Sequence, residues 1–360
     1  MTSRSSKIYS GSRHNPRELR LGYVPLSHAA PLFAAKQLGF FAEQGLAVRL
    51  VREIGWATVR EKIATGELDA AQAPGPMPLA MSLGIGSHRV SCVSSLITNA
   101  NGNAVVVSRR LWEAFGGRHG ALRQGRRPLA DAITLAVVYP HSAHQFILRR
   151  WCEEAGLVPD RDFRLVVIPP PQVVTHLRAG HIDGCCVGEP WATLAVRSGT
   201  GIIDALSADL APGHPEKVLI TRERFAEERH AEHLGLLRAL AKAAAWCADP
   251  AHHEELIDLL AHRDHLALSR DILRPAITGH LDLGAGRTDS RPDALAFHGH
   301  NVNDPTPATA QWLARQLGVT VPDDFLARVY RRDLYLAAIQ PEPVPPSPTP
   351  TPHELAPCLS

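Results

Sequence analysis

The feature that most restricts the fold of this 360-residue chain is a strand–helix alternation that occurs twice. From Leu19 it runs LRLGYVP, APLFAAKQLGFFAEQG, AVRLVRE, WATVREKIATGE and DAAQAP, a βαβαβ rhythm of short apolar runs and helical stretches. The rhythm returns in ITLAVVYP, a helix around 143–156, RLVVIPP, PQVVTHLRAG, GCCVGEP and WATLAVRSG. Two α/β units with mainly parallel sheets follow, with ligands expected where strands end and helices begin. After KVLIT at 217–221 the chain turns helical, through RHAEHLGLLRALAKAAAWCAD, HHEELIDLLAHR, LSRDIL, PATAQWLARQLG and PDDFLARVYRRDLYLAAI. Apolar residues three or four apart in these stretches suit helices that cover a sheet.

Composition narrows the class. With 45% hydrophobic and 21% charged residues the chain is neither disordered, collagenous nor membrane-embedded. Lys+Arg 38 against Asp+Glu 36 leaves +2, too little to draw nucleic acid or an anionic membrane as direct partner. Only five of the basic residues are lysines, at 7, 36, 62, 217 and 242, so each one stands out. Residues 1–17 carry charges throughout and lack an apolar run of secretory length, which predicts a disordered N-terminus on a cytoplasmic protein. A Pro-rich tail from 339 to 360 has little apolar surface to bury and is expected to be disordered.

The six cysteines stand at 92, 152, 185, 186, 247 and 358 without CxxC spacing, and read as buried thiols. Neighbours on a strand, Cys185 and Cys186 are expected on opposite faces. HAEH at 230–233, His262 with His265, and HGH at 298–300 lack a convincing set of carboxylate or thiolate partners and are read as helix faces or loops, not metal sites. There is no strand-to-helix GxGxxG, no GxxxxGK[ST] and no GxSxG, so neither catalysis nor a cofactor is expected.

From Leu19 to about Leu336 the chain resembles the nitrate- and bicarbonate-binding proteins of the NrtA and CmpA kind. The resemblance runs through LGYVPLSHAAPLFAAKQLGFFAEQGL, GWATVREKIATGELDAAQAPGPMPLAMSLG, NANGNAVVVS, DGCCVGEPW and NDPTPATAQWLARQL. Within that group the absence of an export signal makes it look most like the cytoplasmic nitrate and nitrite sensors of the NasS type. The resemblance implies a type II periplasmic-binding-protein-like fold, two α/β lobes joined by a hinge. The lobes would be 18–107 plus 215–338, and 108–214.

The resemblance also implies an anion site on Trp56, Asn103, His144, Gly188 and Lys217. Nitrate is planar, singly charged and weakly basic, so its pocket needs a modest positive charge, several in-plane donors and a flat apolar wall. Trp56, opening a predicted helix, offers its ring as the wall and its indole N–H as a donor. Its plainer reading is a half-buried core tryptophan. Asn103 stands where transporter relatives tend to carry Gln and is one methylene shorter, leaving direct contact, a water bridge or a shifted anion open. Otherwise it is a turn residue. His144 can donate from its ring and become cationic when an anion arrives, or be one surface histidine of nineteen; His141 is the lesser candidate.

Gly188 lets backbone N–H groups approach, and Pro190 suits the first turn of the next helix. Convergence of the helix starts at Trp56, His144 and Pro190 would add a positive potential. Lys217 is assigned the permanent charge, against an exposed lysine paired with Glu216 or Glu189. As a function, the resemblance implies a nitrate or nitrite sensor, with bicarbonate also admitted as ligand, whose closure frees a NasT-like antiterminator of the ANTAR class. One alternative is the substrate-binding component of a nitrate, nitrite or bicarbonate ABC transporter. A third is an enzyme like those of thiamine-pyrimidine synthesis, of whose cysteine-rich motif only Cys185 and Cys186 would remain.

Overall fold

The computed structural model describes residues 18–116, 132–299 and 302–340. Residues 1–17, the tail from 341 and His300 of the HGH run lie outside the described residues, whereas residue 339 closes the helix Arg332–Ile339. Among the described residues no helix is long and apolar enough to cross a membrane.

Two sheets organise the chain. The first joins, in spatial order, β13 (Leu295–Ala296), β4 (Cys92–Asn101), β10 (Pro215–Arg222), β3 (Ala70–Pro74), β1 (Leu19–Tyr23) and β2 (Val48–Arg52). The second joins β7 (Phe163–Val167), β6 (Ile133–Val137), β8 (Gly184–Gly188), β5 (Asn103–Ser108) and β9 (Gly201–Leu206). Each contains a parallel core from its βαβ rhythm, β3–β1–β2 in one and β7–β6–β8 in the other. Buried on both faces, β6 reads ITLAV without polar alternation. This is the two-lobed mixed α/β fold of periplasmic binding proteins.

Two expectations need correction. The sheets are mixed rather than mainly parallel, because β10 runs antiparallel to both β3 and β4, and β5 antiparallel to both β8 and β9. The strands that follow the crossings between lobes are the ones reversed. The boundary expected after 107 falls instead at Gly102, since β5 is an internal strand of the second sheet. In addition, a hairpin of β11 (His280–Gly284) and β12 (Arg287–Ser290), within the stretch assigned to the first lobe, packs on β9 and the helix Trp191–Arg197 of the second. Arg287 there donates to the Ile203 carbonyl.

The long helix His230–Ala248 places Leu236, Leu237, Leu240 and Ala243 against Leu21, Phe33 and Leu96 in the main core of the first lobe. The helix Pro307–Leu317 begins with Pro307 in its first turn and Thr306 as a cap, its hydroxyl accepting from the Thr309 N–H at 3.2 Å. Cys185 and Cys186 do face opposite sides of β8, one toward a core shared by both lobes and one toward the outer core of the second. The histidine clusters take structural contacts: His233 Nε2 lies 3.1 Å from Ser95 Oγ, His265 stacks on Phe33, and His298 Nδ1 meets Asn303 Oδ1 at 2.6 Å.

The chain crosses between lobes at 101–103 and again before β10, and Asn101 ties the crossings together. Its N–H donates to the His214 carbonyl at 3.1 Å and its Oδ1 accepts from Gly213 N–H at 3.0 Å, while Nδ2 reaches the Asp293 carbonyl at 2.8 Å. Its φ of 57° is left-handed, which Asn tolerates better than most residues. Asn101→Ala removes both side-chain bonds and keeps the strained φ. It is expected to lower the unfolding free energy by about 1–3 kcal/mol, read by urea denaturation.

Candidate functional site

The polar centre of the molecule lies between the sheets, at the ends of strands from both lobes. Trp56 occupies the first position of the helix Trp56–Thr65 and His144 the second of the helix Ala143–Glu154. Asn103 opens β5, Gly188 closes β8 opposite it, and Lys217 sits in β10. None of the four side chains is more than 3% exposed. The structure therefore places Lys217 inside the protein rather than on its surface, and Trp56 fully rather than half buried.

β10 carries the charges. Its pairing with β4 is irregular at Pro215, Lys217 and Val218, and such irregularities re-aim side chains that a regular strand would send to opposite faces. Glu216 and Lys217 are both wholly buried and form an ion pair through Glu216 Oε1 and Lys217 Nζ. The ammonium also lies 5.1 Å from the centroid of the Trp56 ring, in cation–π range. His144 Nδ1 is 3.6 Å from Glu216 Oε1, and His214 Nε2 is 3.3 Å from Glu216 Oε2. The permanent charge assigned to Lys217 is thus matched by its neighbour, and the pair adds no net charge to the site.

Sequence reasoning missed two members of this centre. Glu216 was weighed only as a partner for an exposed lysine. His28, in the short turn Ser27–Ala29, is entirely buried and influenced by Lys217, Glu216 and His144. Its backbone carbonyl is held by Gln72 Nε2 at 2.5 Å. A Cβ on Gly188 would come 2.7 Å from His28 Cε1 and 3.1 Å from Asn103 Oδ1, so glycine here makes room for the imidazole. Backbone approach to a ligand is therefore not the only demand on this position. The quoted SHAAP stretch held the signal, a histidine inside a matched motif.

A common property joins these side chains. Trp56 Nε1, both amide atoms of Asn103, both ring nitrogens of His144 and both of His28 are buried without a hydrogen-bond partner of normal geometry in the protein. Buried polar groups are rarely left so, and a cluster of them is what a polar ligand would satisfy. Burial pulls the His144 ring down to about 3, with Glu216 opposing and Lys217 assisting. Burial and then Lys217 hold His28 well below its ordinary value. Both imidazoles are neutral. Glu216 is pushed upward by burial, but Lys217, His144 and His214 outweigh that and hold it well below the usual carboxylate range. The Lys217 ammonium is lowered by burial against the pull of Glu216.

Of the three helix starts expected to converge, two lack a side-chain cap, those at Gly55 and Ser142. The third differs. Pro190 precedes the helix Trp191–Arg197 rather than lying in its first turn, across a cis Glu189–Pro190 bond, and Glu189 Oε2 accepts from the Thr193 N–H at 3.1 Å. That helix end is occupied by the protein's own carboxyl group, so its dipole is not directed to a ligand. Among the described residues no group of three or more His, Cys, Asp or Glu is arranged to hold a metal ion.

Fold and site together define a two-lobed protein of the periplasmic-binding-protein type with a cluster of buried polar side chains at the lobe junction. Residues 12–261 match the model of the NMT1-like family, and the chain belongs to that family. It is similar to the nitrate import ATP-binding protein NrtC of Synechocystis sp., 35% identical over 92% of this chain and 51% of the relative. It is also similar to the bicarbonate transport ATP-binding protein CmpC of Synechocystis sp., 38% identical over 87% and 48%. The chain thus spans about half the length of these relatives. In fold it matches the crystal structure of the periplasmic nitrate-binding protein NrtA from Synechocystis, with a TM-score of 0.83 over 91% of this chain and 89% of that one at 24% identity.

Burial raises the Glu189 carboxyl to about 7, with the Thr193 contacts opposing. The folded state therefore holds this proton more tightly than the unfolded chain, whose carboxyl titrates near 4.5. Stability from this group falls as pH rises from about 4.5 to about 7, by on the order of 3 kcal/mol, and is level above. Glu189→Gln is expected to remove that slope. The difference between the urea stabilities of the protein and the variant, measured from about pH 4.5 to 8, reads it.

Proposed function

We propose that this chain is a receptor for a small planar oxyanion, nitrate, nitrite or bicarbonate, bound between its lobes. The observation that carries the reading is the buried set of unpartnered polar atoms on Trp56, Asn103 and His144, gathered around Lys217 and walled by an indole. Each hydrogen bond to a charged ligand contributes roughly 1.5–3 kcal/mol, so four or five donors suffice for micromolar affinity after ordering costs. Because each lobe supplies part of the set, the anion favours the closed form by its differential contacts. The names of the relatives describe binding and transport, which supports a binder rather than an enzyme.

For the biological role, the names NrtC and CmpC favour the transport alternative: a receptor unit that meters anion for an ABC-type importer. The sensor reading uses the same closure but hands the signal to a NasT-like antiterminator in the cytoplasm. Native gel filtration of the two proteins with and without nitrate separates them. A complex that dissolves on adding nitrate supports the sensor, and absence of any complex favours transport.

Calorimetry with nitrate, nitrite and bicarbonate tests the receptor itself. At least one is expected to bind in the micromolar range. Trp56→Phe keeps the wall but deletes the indole donor, and Lys217→Ala deletes the ammonium. Each is expected to weaken binding by roughly tenfold or more, Trp56→Phe through the loss of one hydrogen bond to the anion and Lys217→Ala because it leaves the buried Glu216 carboxylate unpaired beside it. Silence with all three anions on the folded protein would end the reading.

A further inference from the structure

The oxyanion reading, on which this inference rests, leaves the hydrogen-bond chemistry of the pocket unbalanced. A neutral imidazole has one donor and one acceptor nitrogen. His28 and His144 therefore present two donors and two acceptors, all buried and none with a protein partner at normal hydrogen-bond geometry, the neighbouring acceptors being Glu216 Oε1 at 3.6 Å from His144 Nδ1 and the Asn101 carbonyl beside His28. Nitrate has oxygens that accept and nothing that donates, so the acceptor nitrogens turned to it would stay unsatisfied and face a negative charge. The charge account points the same way. Lys217 and Glu216 cancel, Trp56 and Asn103 are neutral, and an anion enclosed here meets no net positive charge.

We infer that His28 is a ligand-facing residue of this pocket, and that an aprotic anion enters together with one proton from solvent, taken up by the His28–His144 pair. Protonation turns an acceptor nitrogen into a second donor and supplies the missing countercharge in one step. The balance is anion plus proton plus neutral pair, giving the anion beside one imidazolium, with no other bond made or broken. The groups facing His28 are Lys217 and Glu216 from β10, His144 from the second lobe, and the Asn101 carbonyl from the crossing. Those facing His144 are Glu216, Lys217 and His214. Without the anion, burial keeps both rings neutral near pH 7. Linkage is reciprocal, so an anion that raises the affinity of the pair for a proton is itself bound more tightly as pH falls.

The test is nitrate calorimetry on the full chain at pH 7, in Tris and in imidazole buffers, whose different ionisation enthalpies report proton exchange. About one proton is expected to be taken up per nitrate bound, with Kd weakening roughly tenfold per pH unit between about pH 6 and 8. His28→Gln is expected to weaken nitrate by about tenfold, and the His28→Gln/His144→Gln double variant to bind with no proton exchange. Nitrate binding with no proton uptake and a pH-independent Kd in the unaltered protein overturns the inference while leaving the receptor reading intact, and needs no variant to fold. Unchanged affinity in a folded His28→Gln protein likewise removes His28 from the pocket. Failure of nitrate, nitrite and bicarbonate alike to bind overturns the receptor reading, and this inference with it.

Discussion

The rest of the polar centre depends on one constraint, the burial of Glu216 and Lys217 side by side between two sheets. Removing two charges from water costs several kcal/mol each, and mutual attraction repays this only when the geometry is close and the surroundings help. The surroundings here are consistent with that demand. His214 and His144 contact the two carboxylate oxygens, and the Trp56 ring lies near the ammonium. Burial also holds nearby titratable groups uncharged: the His28 and His144 imidazoles fall, and the Cys186 thiol rises well above its ordinary range. A buried pair that contributes little net stability is retained at a cost, and the neighbouring unpartnered donors suggest what that cost serves.

Under the proposed receptor reading, this cluster would discriminate by hydrogen-bond geometry instead of by bulk charge. The chain as a whole carries only +2, and the site itself is balanced. Two uncapped helix starts add positive potential without a mobile countercharge. The third, capped by Glu189, shows the opposite use of the same device, where an internal carboxyl group settles the helix end and closes it to outside ligands.

Much of the architecture was legible in the sequence because the strands and helices have distinct periods. The segments around Leu19, Ile133, Phe163 and Gly184 were expected as strands and fold as strands. What could not be read was pairing direction. The run NAVVVS looks the same on an edge or in the middle of a sheet, and nothing in it tells that β5 runs antiparallel between β8 and β9. The β11–β12 hairpin escaped because HLDLG and RTDS are half exposed and lack an apolar alternation. The site shows the same division. Trp56, Asn103, His144, Gly188 and Lys217 were named from matched motifs and the fold gathers them. Glu216 was weighed only as a surface partner of Lys217, and what the sequence did not reveal is that the irregular pairing of β10 accompanies the burial of both adjacent side chains as an ion pair. His28 sits in a turn, where periodicity carries no information.

The position of the crossings adds a mechanical consequence. Asn101 bonds the outgoing and returning segments to each other, and only one residue separates it from Asn103. On the returning side His214 gives its carbonyl to Asn101 and its ring to Glu216. Gly102, between Asn101 and Asn103, has a φ of 97°, and a Cβ there would fall 2.3 Å from His28 Nε2. The residues at the crossings are therefore covalent neighbours of residues in the buried polar cluster. Under the proposed receptor reading, a ligand that bridges Asn103 of one lobe to His28 of the other would favour the lobe angle that keeps both in reach. Coupling between occupancy and lobe angle would then need no longer pathway than the contact across this junction.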